Sequence, residues 1–268
     1  MTKLSFLLIV CLGFTINLKS QILVIDRENG QDSMPRKQLF AWNVSFSSDK
    51  QKKNLLELSN SAEYDRFFKN DQVLITLLNT DASFNGKTIL ENNGYFQMRL
   101  RNNDKKRVAP DYFMQYQWNG IWGLQNRAIA GCNARFKFWD DKTDDLFMSI
   151  GAFYEYEKWN PNLSSYAFGG NSQEIVYRHI PRLNLSAKTA VQLTKGIDLS
   201  AITFVQFPMN DAFSHFTQPR WFLDLNLNFD INKHLSMVLH YDQNIDYYRP
   251  LPIDTYFYNL NMGFQLKW

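Results

Sequence analysis

Thr255–Trp268 reads TYFYNLNMGFQLKW. Every second residue counted back from the end is apolar or aromatic: Trp268, Leu266, Phe264, Met262, Leu260, Tyr258 and Tyr256. The set between them is Lys267, Gln265, Gly263, Asn261 and Asn259, polar or small, with Phe257 the one exception. A period of two is the signature of a strand with one greasy and one wet face. The greasy face is longer than the edge strand of a small soluble sheet needs, and it carries aromatics at both ends. One strand leaves a soluble sandwich and a membrane barrel both open, so the rest of the chain must decide.

The same alternation recurs upstream. Leu223, Leu225, Leu227, Phe229 and Ile231 alternate with Asp224, Asn226, Asn228 and Asp230. Ala128, Ala130, Cys132, Ala134, Phe136 and Phe138 alternate with Arg127, Ile129, Gly131, Asn133, Arg135 and Lys137. Leu146, Met148, Ile150, Ala152, Tyr154 and Tyr156 alternate with Phe147, Ser149, Gly151, Phe153, Glu155 and Glu157. Alternating runs predict about twelve strands from residue 39 onward, among them 145–157, 180–192, 220–231, 235–243 and 255–268. The first two, 39–47 and 55–66, alternate least cleanly. Several runs reach the roughly nine to eleven residues that cross a bilayer at a tilt.

Loop lengths test this independently. With Trp268 placed in the periplasm, Asn244–Asp254, Pro208–Pro219 and Lys158–His179 are long and fall outside. Asn232–His234, Leu193–Ile197 and Asp140–Asp144 are short and fall inside. Outer-membrane barrels show this asymmetry, and a sandwich has no reason to. The alternation lapses at 122–126 and 103–110. The expectation is an all-β fold: a closed antiparallel transmembrane β-barrel of about twelve strands with both termini periplasmic. Closure follows because an open edge would leave its backbone N–H and C=O groups unpaired in hydrocarbon.

Composition agrees. Mean hydropathy is −0.38, and beyond the N-terminus no run is apolar and long enough for a spanning helix. Barrel strands are half polar, so such an average is compatible with them. Residues 1–20 read as a secretory signal peptide: Lys3, the apolar run Leu4–Phe14, and Ser20 before a cut at Gln21. Residues 21–37 read as a periplasmic lead-in and 38–268 as the barrel. The leader holds Lys3 and Lys19 and no acid, so its loss lowers the net charge from +3 to +1. A near-neutral mature chain gives nucleic-acid binding no electrostatic support. Cys132 alone remains after cleavage, which excludes an internal disulfide.

From about Asp71 onward, four further features carry a family likeness. They are the strand around Phe113-Met114-Gln115-Tyr116; Arg127 followed by Gly131 and Arg135 at four-residue steps; Tyr154-Glu155-Tyr156-Glu157; and Arg182 with Leu185-Ser186. With the closing strand from Tyr258, they make the chain resemble the Gram-negative outer-membrane family of unknown function called salt-induced outer membrane proteins. The closing strand itself resembles the last strand of bacterial outer-membrane barrels. In those, a terminal aromatic, usually Phe, belongs to the signal read by the barrel-assembly machinery. The resemblance implies that Phe264, Leu266 and Trp268 form this signal, and that the partners are outer-membrane lipid and the assembly machinery. It supplies no activity, ligand, cofactor or catalytic residue.

The polar faces place both signs of charge inside. Arg99, Arg101, Arg127, Arg135 and Lys137, with Arg182, Lys188 and Lys267, meet Glu155, Glu157, Asp224, Asp230 and Asp242. Such a wall either pairs off into a plug or lines a narrow pore for ions or small solutes. On the outside, Trp159, Tyr166 and Phe168 in one loop and Tyr247 and Tyr248 in another are candidate binding aromatics. A lipid hydrolase is the weakest reading. His234-Leu235-Ser236 and Ser214-His215 lack the spacing of a nucleophile–base site, and His240 with Asp242 reads equally well as a satisfied lumen histidine. The histidines have no metal-ligand spacing, and Asp140–Asp145 lacks the glycine and bidentate glutamate of a calcium loop. No catalytic, cofactor or metal residue is therefore expected.

Overall fold

A computed structural model describes residues 38–266, except 51–53, 69–71, 86–87, 103–106, 141–143, 164–173, 211–213, 233–234 and 253. Twelve strands run in chain order. They are β1 (Gln38–Lys50), β2 (Asn54–Phe67), β3 (Gln72–Asn85), β4 (Thr88–Asn102), β5 (Val108–Asn119) and β6 (Leu124–Asp140), then β7 (Asp145–Trp159), β8 (Val176–Thr194), β9 (Ile197–Pro208), β10 (Arg220–Asn232), β11 (Leu235–Asp246) and β12 (Tyr256–Leu266). Each pairs antiparallel with the next in one sheet, an up-and-down meander. The ladder runs from β1 to β12, and among the described residues no pairing joins its two ends.

Period two sorts the side chains. On β5, Ala109, Asp111, Phe113, Gln115 and Gln117 are buried, while Val108, Tyr112, Met114 and Tyr116 are exposed. The exposed set is the apolar one. The same inversion holds for Phe40, Trp42, Val44 and Phe46 on β1, for Met148, Ile150 and Tyr154 on β7, and for Leu260 and Met262 on β12. An ordinary soluble sheet would bury this face.

The inward face is curled onto itself. The Trp122 ring, in the β5–β6 turn, stacks on Phe257 of β12 with centroids 4.9 Å apart. Phe113, Ile129, Phe153, Phe204 and Phe222, from β5, β6, β7, β9 and β10, form one buried cluster. Contacts between strands so distant in the ladder require the sheet from β5 to β12 to wrap around a filled interior. Phe257, the odd residue of the closing strand, is explained by this stack.

Close approach of β6 and β7 has a sequence cause. A Cβ on Gly131 would fall 2.5 Å from the Ala152 carbonyl oxygen, and one on Gly151 would fall 2.6 Å from Asn133 Cα. Glycine alone lets the two backbones approach this closely. The widest gaps between strands, from β7 to β8, β9 to β10 and β11 to β12, all fall at the end of the sheet opposite the start of β1 and the end of β12. The expected loop asymmetry is therefore present in the C-terminal half.

Strand ends differ from the sequence reading. β7 runs two residues further, to Trp159; β8 begins at Val176; β11 continues to Asp246. Hydrogen-bonded hairpins carry on past the point where alternating hydropathy ends, because backbone pairing does not require apolar side chains.

Candidate charged interior

Beneath the long connections, the inward positions of five strands meet in a buried ion network. Arg127 of β6 lies opposite Glu157 of β7 in register, and Arg220 of β10 opposite Asp246 of β11. Glu157 receives Nε of Arg127 at 2.8 Å and Nη2 at 2.7 Å. Glu155 receives Nε of Arg127 at 3.0 Å and also Nε of Arg182, which reaches diagonally from β8. Arg220 crosses the interior. It gives Nη1 to Glu155 at 2.8 Å and Nη2 to Glu157 at 3.3 Å, both on β7, and Nε to Asp246 at 3.0 Å. Glu155, Glu157, Arg182 and Arg220 are each 0% exposed.

The network continues toward the loops. Arg178 lies 3.5 Å from Glu157 and donates to the Tyr248 carbonyl at 3.0 Å. Arg249 lies 3.9 Å from Asp246 and sits over the Trp122 and Phe257 rings at 5.0 and 4.6 Å. Burial pushes the Arg249 guanidinium down to about 10, against the pull of Asp246. Trp159 donates its indole N–H to Glu157 at 2.9 Å.

A second basic zone occupies the half nearer the chain ends. Arg99, Arg101, Arg135 and Lys188 line a cavity of about 40 Å³ with Asp111 as the acid among its walls. Arg99 is 3.6 Å from Asp111 and 5.7 Å above the Phe113 ring; Arg135 lies 4.5 Å above Phe147. Lys137 is half-buried on the same face of β6. The aromatic cluster around Phe113, Phe153 and Phe204 separates this zone from the ion network.

Arg127, Glu155 and Glu157 are thus brought together, while Arg99, Arg101 and Arg135 group apart from them. Asp224 is half-buried and contacts His240 at 3.1 Å; Asp230 is exposed at the far end of β10. Neither acid joins the network. Trp159 corrects the sequence reading: it belongs to the end of β7, 1% exposed and facing inward with Glu155 and Glu157, so it is no loop aromatic. Tyr248 is half-buried under Arg178, 4.0 Å from its guanidinium, and stacks on His215 at 4.4 Å; Tyr247 is exposed. Tyr166, Phe168 and Trp268 lie outside the described residues, as do the side chains of Phe264 and Leu266.

Sequence reasoning missed Arg220, Asp246 and Gln206. Parity would have placed Arg220 inward with Phe222 and Asp224, but it opens its strand and follows Pro219. Asp246 fell in a stretch read as loop.

The chain matches the family described as "Protein of unknown function, DUF481" over residues 37–264, and it belongs to that family. No curated protein matches it. Among solved structures, one described as the NanC porin aligns with a TM-score of 0.42 at 11% identity, over 86% of this chain and 99% of that one.

Proposed function

We propose that this chain is a bacterial outer-membrane β-barrel, closed by pairing of β1 with β12, whose interior is plugged and whose role is structural or binding. The outward apolar face supports the membrane reading: Trp42, Val44, Met114, Ile150 and Met262 are each more than 40% exposed. An even strand count brings both chain ends to one side, consistent with periplasmic termini. Export through a cleaved leader, insertion by the assembly machinery and the salt-induced character of the resembling family belong to the same proposal.

The observation that carries the plug is Arg220. Its guanidinium spans from β10 to two carboxylates on β7 and so bridges the interior between these strands. The aromatic cluster below it is a second barrier. Planar-bilayer recording of the exported chain tests this: a folded, heat-modifiable barrel should stay silent.

The cation excess of the cavity lining favours a second reading, a narrow anion pore. Discrete steps with anion preference, weakened by Arg135→Gln, would replace the plug with the pore. Lipid hydrolysis has no part in either proposal. His240 meets Asp224 on the inward face, away from the lipid side, and His240→Ala should leave phospholipid vesicles turning over no more slowly than before.

A further inference from the structure

Three guanidinium groups crowd one carboxylate. Arg127 and Arg220 reach Oε1 of Glu155, and Arg182 reaches Oε2. Across the whole network Arg127, Arg178, Arg182, Arg220 and Arg249 share Glu155, Glu157 and Asp246. Buried charges are ordinarily matched and fully hydrogen-bonded, because an unmatched ion away from water is costly. Among the described residues of this network, five cations face three anions.

The excess is matched by idle donors. Both Nη1 and Nη2 of Arg182, Nη1 of Arg127 and Nε2 of Gln206 are buried with no hydrogen-bond acceptor among the described residues. Arg182 and Gln206 are 0% exposed and Arg127 is 1% exposed. The donors are close together, since Arg127 and Arg182 hold the same carboxylate. Gln206 pairs with Arg220 in the β9–β10 register and accepts from its Nη1 at 3.4 Å, leaving the amide nitrogen over. Every idle atom on these three side chains is an N–H; the register neighbour of Gln206, Asn184, adds one idle buried Oδ1 against these four donors.

We infer that this cluster is a seat for a single small oxyanion, a phosphate, sulfate or carboxylate. Planar guanidinium forks suit such ligands, which offer several acceptor oxygens and one or two negative charges. Arg182 supplies the fork. Arg127 and the Gln206 amide supply flanking donors, and Glu155 holds both arginines in place. The seat lies between the aromatic cluster of Phe113, Phe153 and Phe204 and the loop-side cluster of Trp122, Trp159 and Phe257. Apolar walls on two sides strengthen its pull on an anion. A plugged barrel or a pore could each hold it, so conductance neither supports nor removes it.

Equilibrium dialysis of the folded, exported chain in detergent against labelled inorganic phosphate, at constant ionic strength in chloride, tests the seat. The expected result is one saturable site per chain, with affinity falling about tenfold or more in Arg182→Gln, equivalent to at least one lost charged hydrogen bond. Gln206→Leu removes one donor while leaving every ion pair intact, so it decides the matter if Arg182→Gln fails to fold; it too should weaken binding. Competition by acetate would assign the seat to carboxylates as well, and its absence to tetrahedral anions. No saturable uptake by the wild type, or uptake unchanged in Gln206→Leu and in a folded Arg182→Gln, would overturn the inference.

Discussion

Arg220→Met gives the sharpest test of the interior. The substitution keeps an apolar stem of similar length and deletes a guanidinium that touches Glu155 at 2.8 Å, Glu157 at 3.3 Å, Asp246 at 3.0 Å and Gln206 at 3.4 Å. Glu155 and Glu157 keep Arg127, Arg182 and Arg178. Asp246 keeps the Tyr248 backbone N–H at 3.1 Å, and its remaining cation is Arg249 at 3.9 Å, beyond hydrogen-bonding distance. Removing one partner of a buried pair costs about 3–5 kcal/mol, because the other charge stays buried. Relief of crowding among three arginines at Glu155 offsets part of this, so a net loss of roughly 2–4 kcal/mol is expected. Urea unfolding from phospholipid vesicles, followed by tryptophan fluorescence, measures it. The cycle with Asp246→Asn isolates the pair: Asp246→Asn should cost much less in the Arg220→Met background, with a coupling above about 1.5 kcal/mol. Additive losses, with coupling below about 0.5 kcal/mol, would refute the network as a structural strut.

Other substitutions probe the β6–β7 contact, the outer face and the thiol. Gly151→Ala should cost roughly 3 kcal/mol or more in the same unfolding assay, since its Cβ would land on the Cys132 carbonyl oxygen and 2.6 Å from Asn133 Cα, both backbone atoms that cannot swing away. Met114→Lys, on the outward face between Tyr112 and Tyr116, should lose about 2–4 kcal/mol in vesicles if that face meets lipid; a water-facing site would change by under about 0.5 kcal/mol. Cys132, exposed on the same face of β6, should react with a membrane-permeant maleimide and resist a charged one in vesicles. Equal rates with both reagents would place it in water.

Most of the fold was legible because a strand repeats every two residues, and hydropathy reports that period directly. The C-terminal half shows it best: Leu223, Leu225 and Leu227 against Asp224, Asn226 and Asn228 leave no other reading. The same parity put Arg127, Glu155 and Glu157 on one face, and it put Phe153 and Ile129 there too. Those apolar residues sat on a face read as polar, and they are the ones that fill the interior. Two things hid the full network. Strand ends cannot be seen from hydropathy once the outward residues stop being apolar, so Trp159 and Asp246 were assigned to loops although their parity was already correct. Contacts between strands three apart leave no local signal at all: nothing near Arg220 in the chain points to Glu155, 65 residues earlier. Only the curl of the sheet joins them. At Gly131 and Gly151 the missing side chains let the β6 and β7 backbones pass where a Cβ would collide with the partner strand.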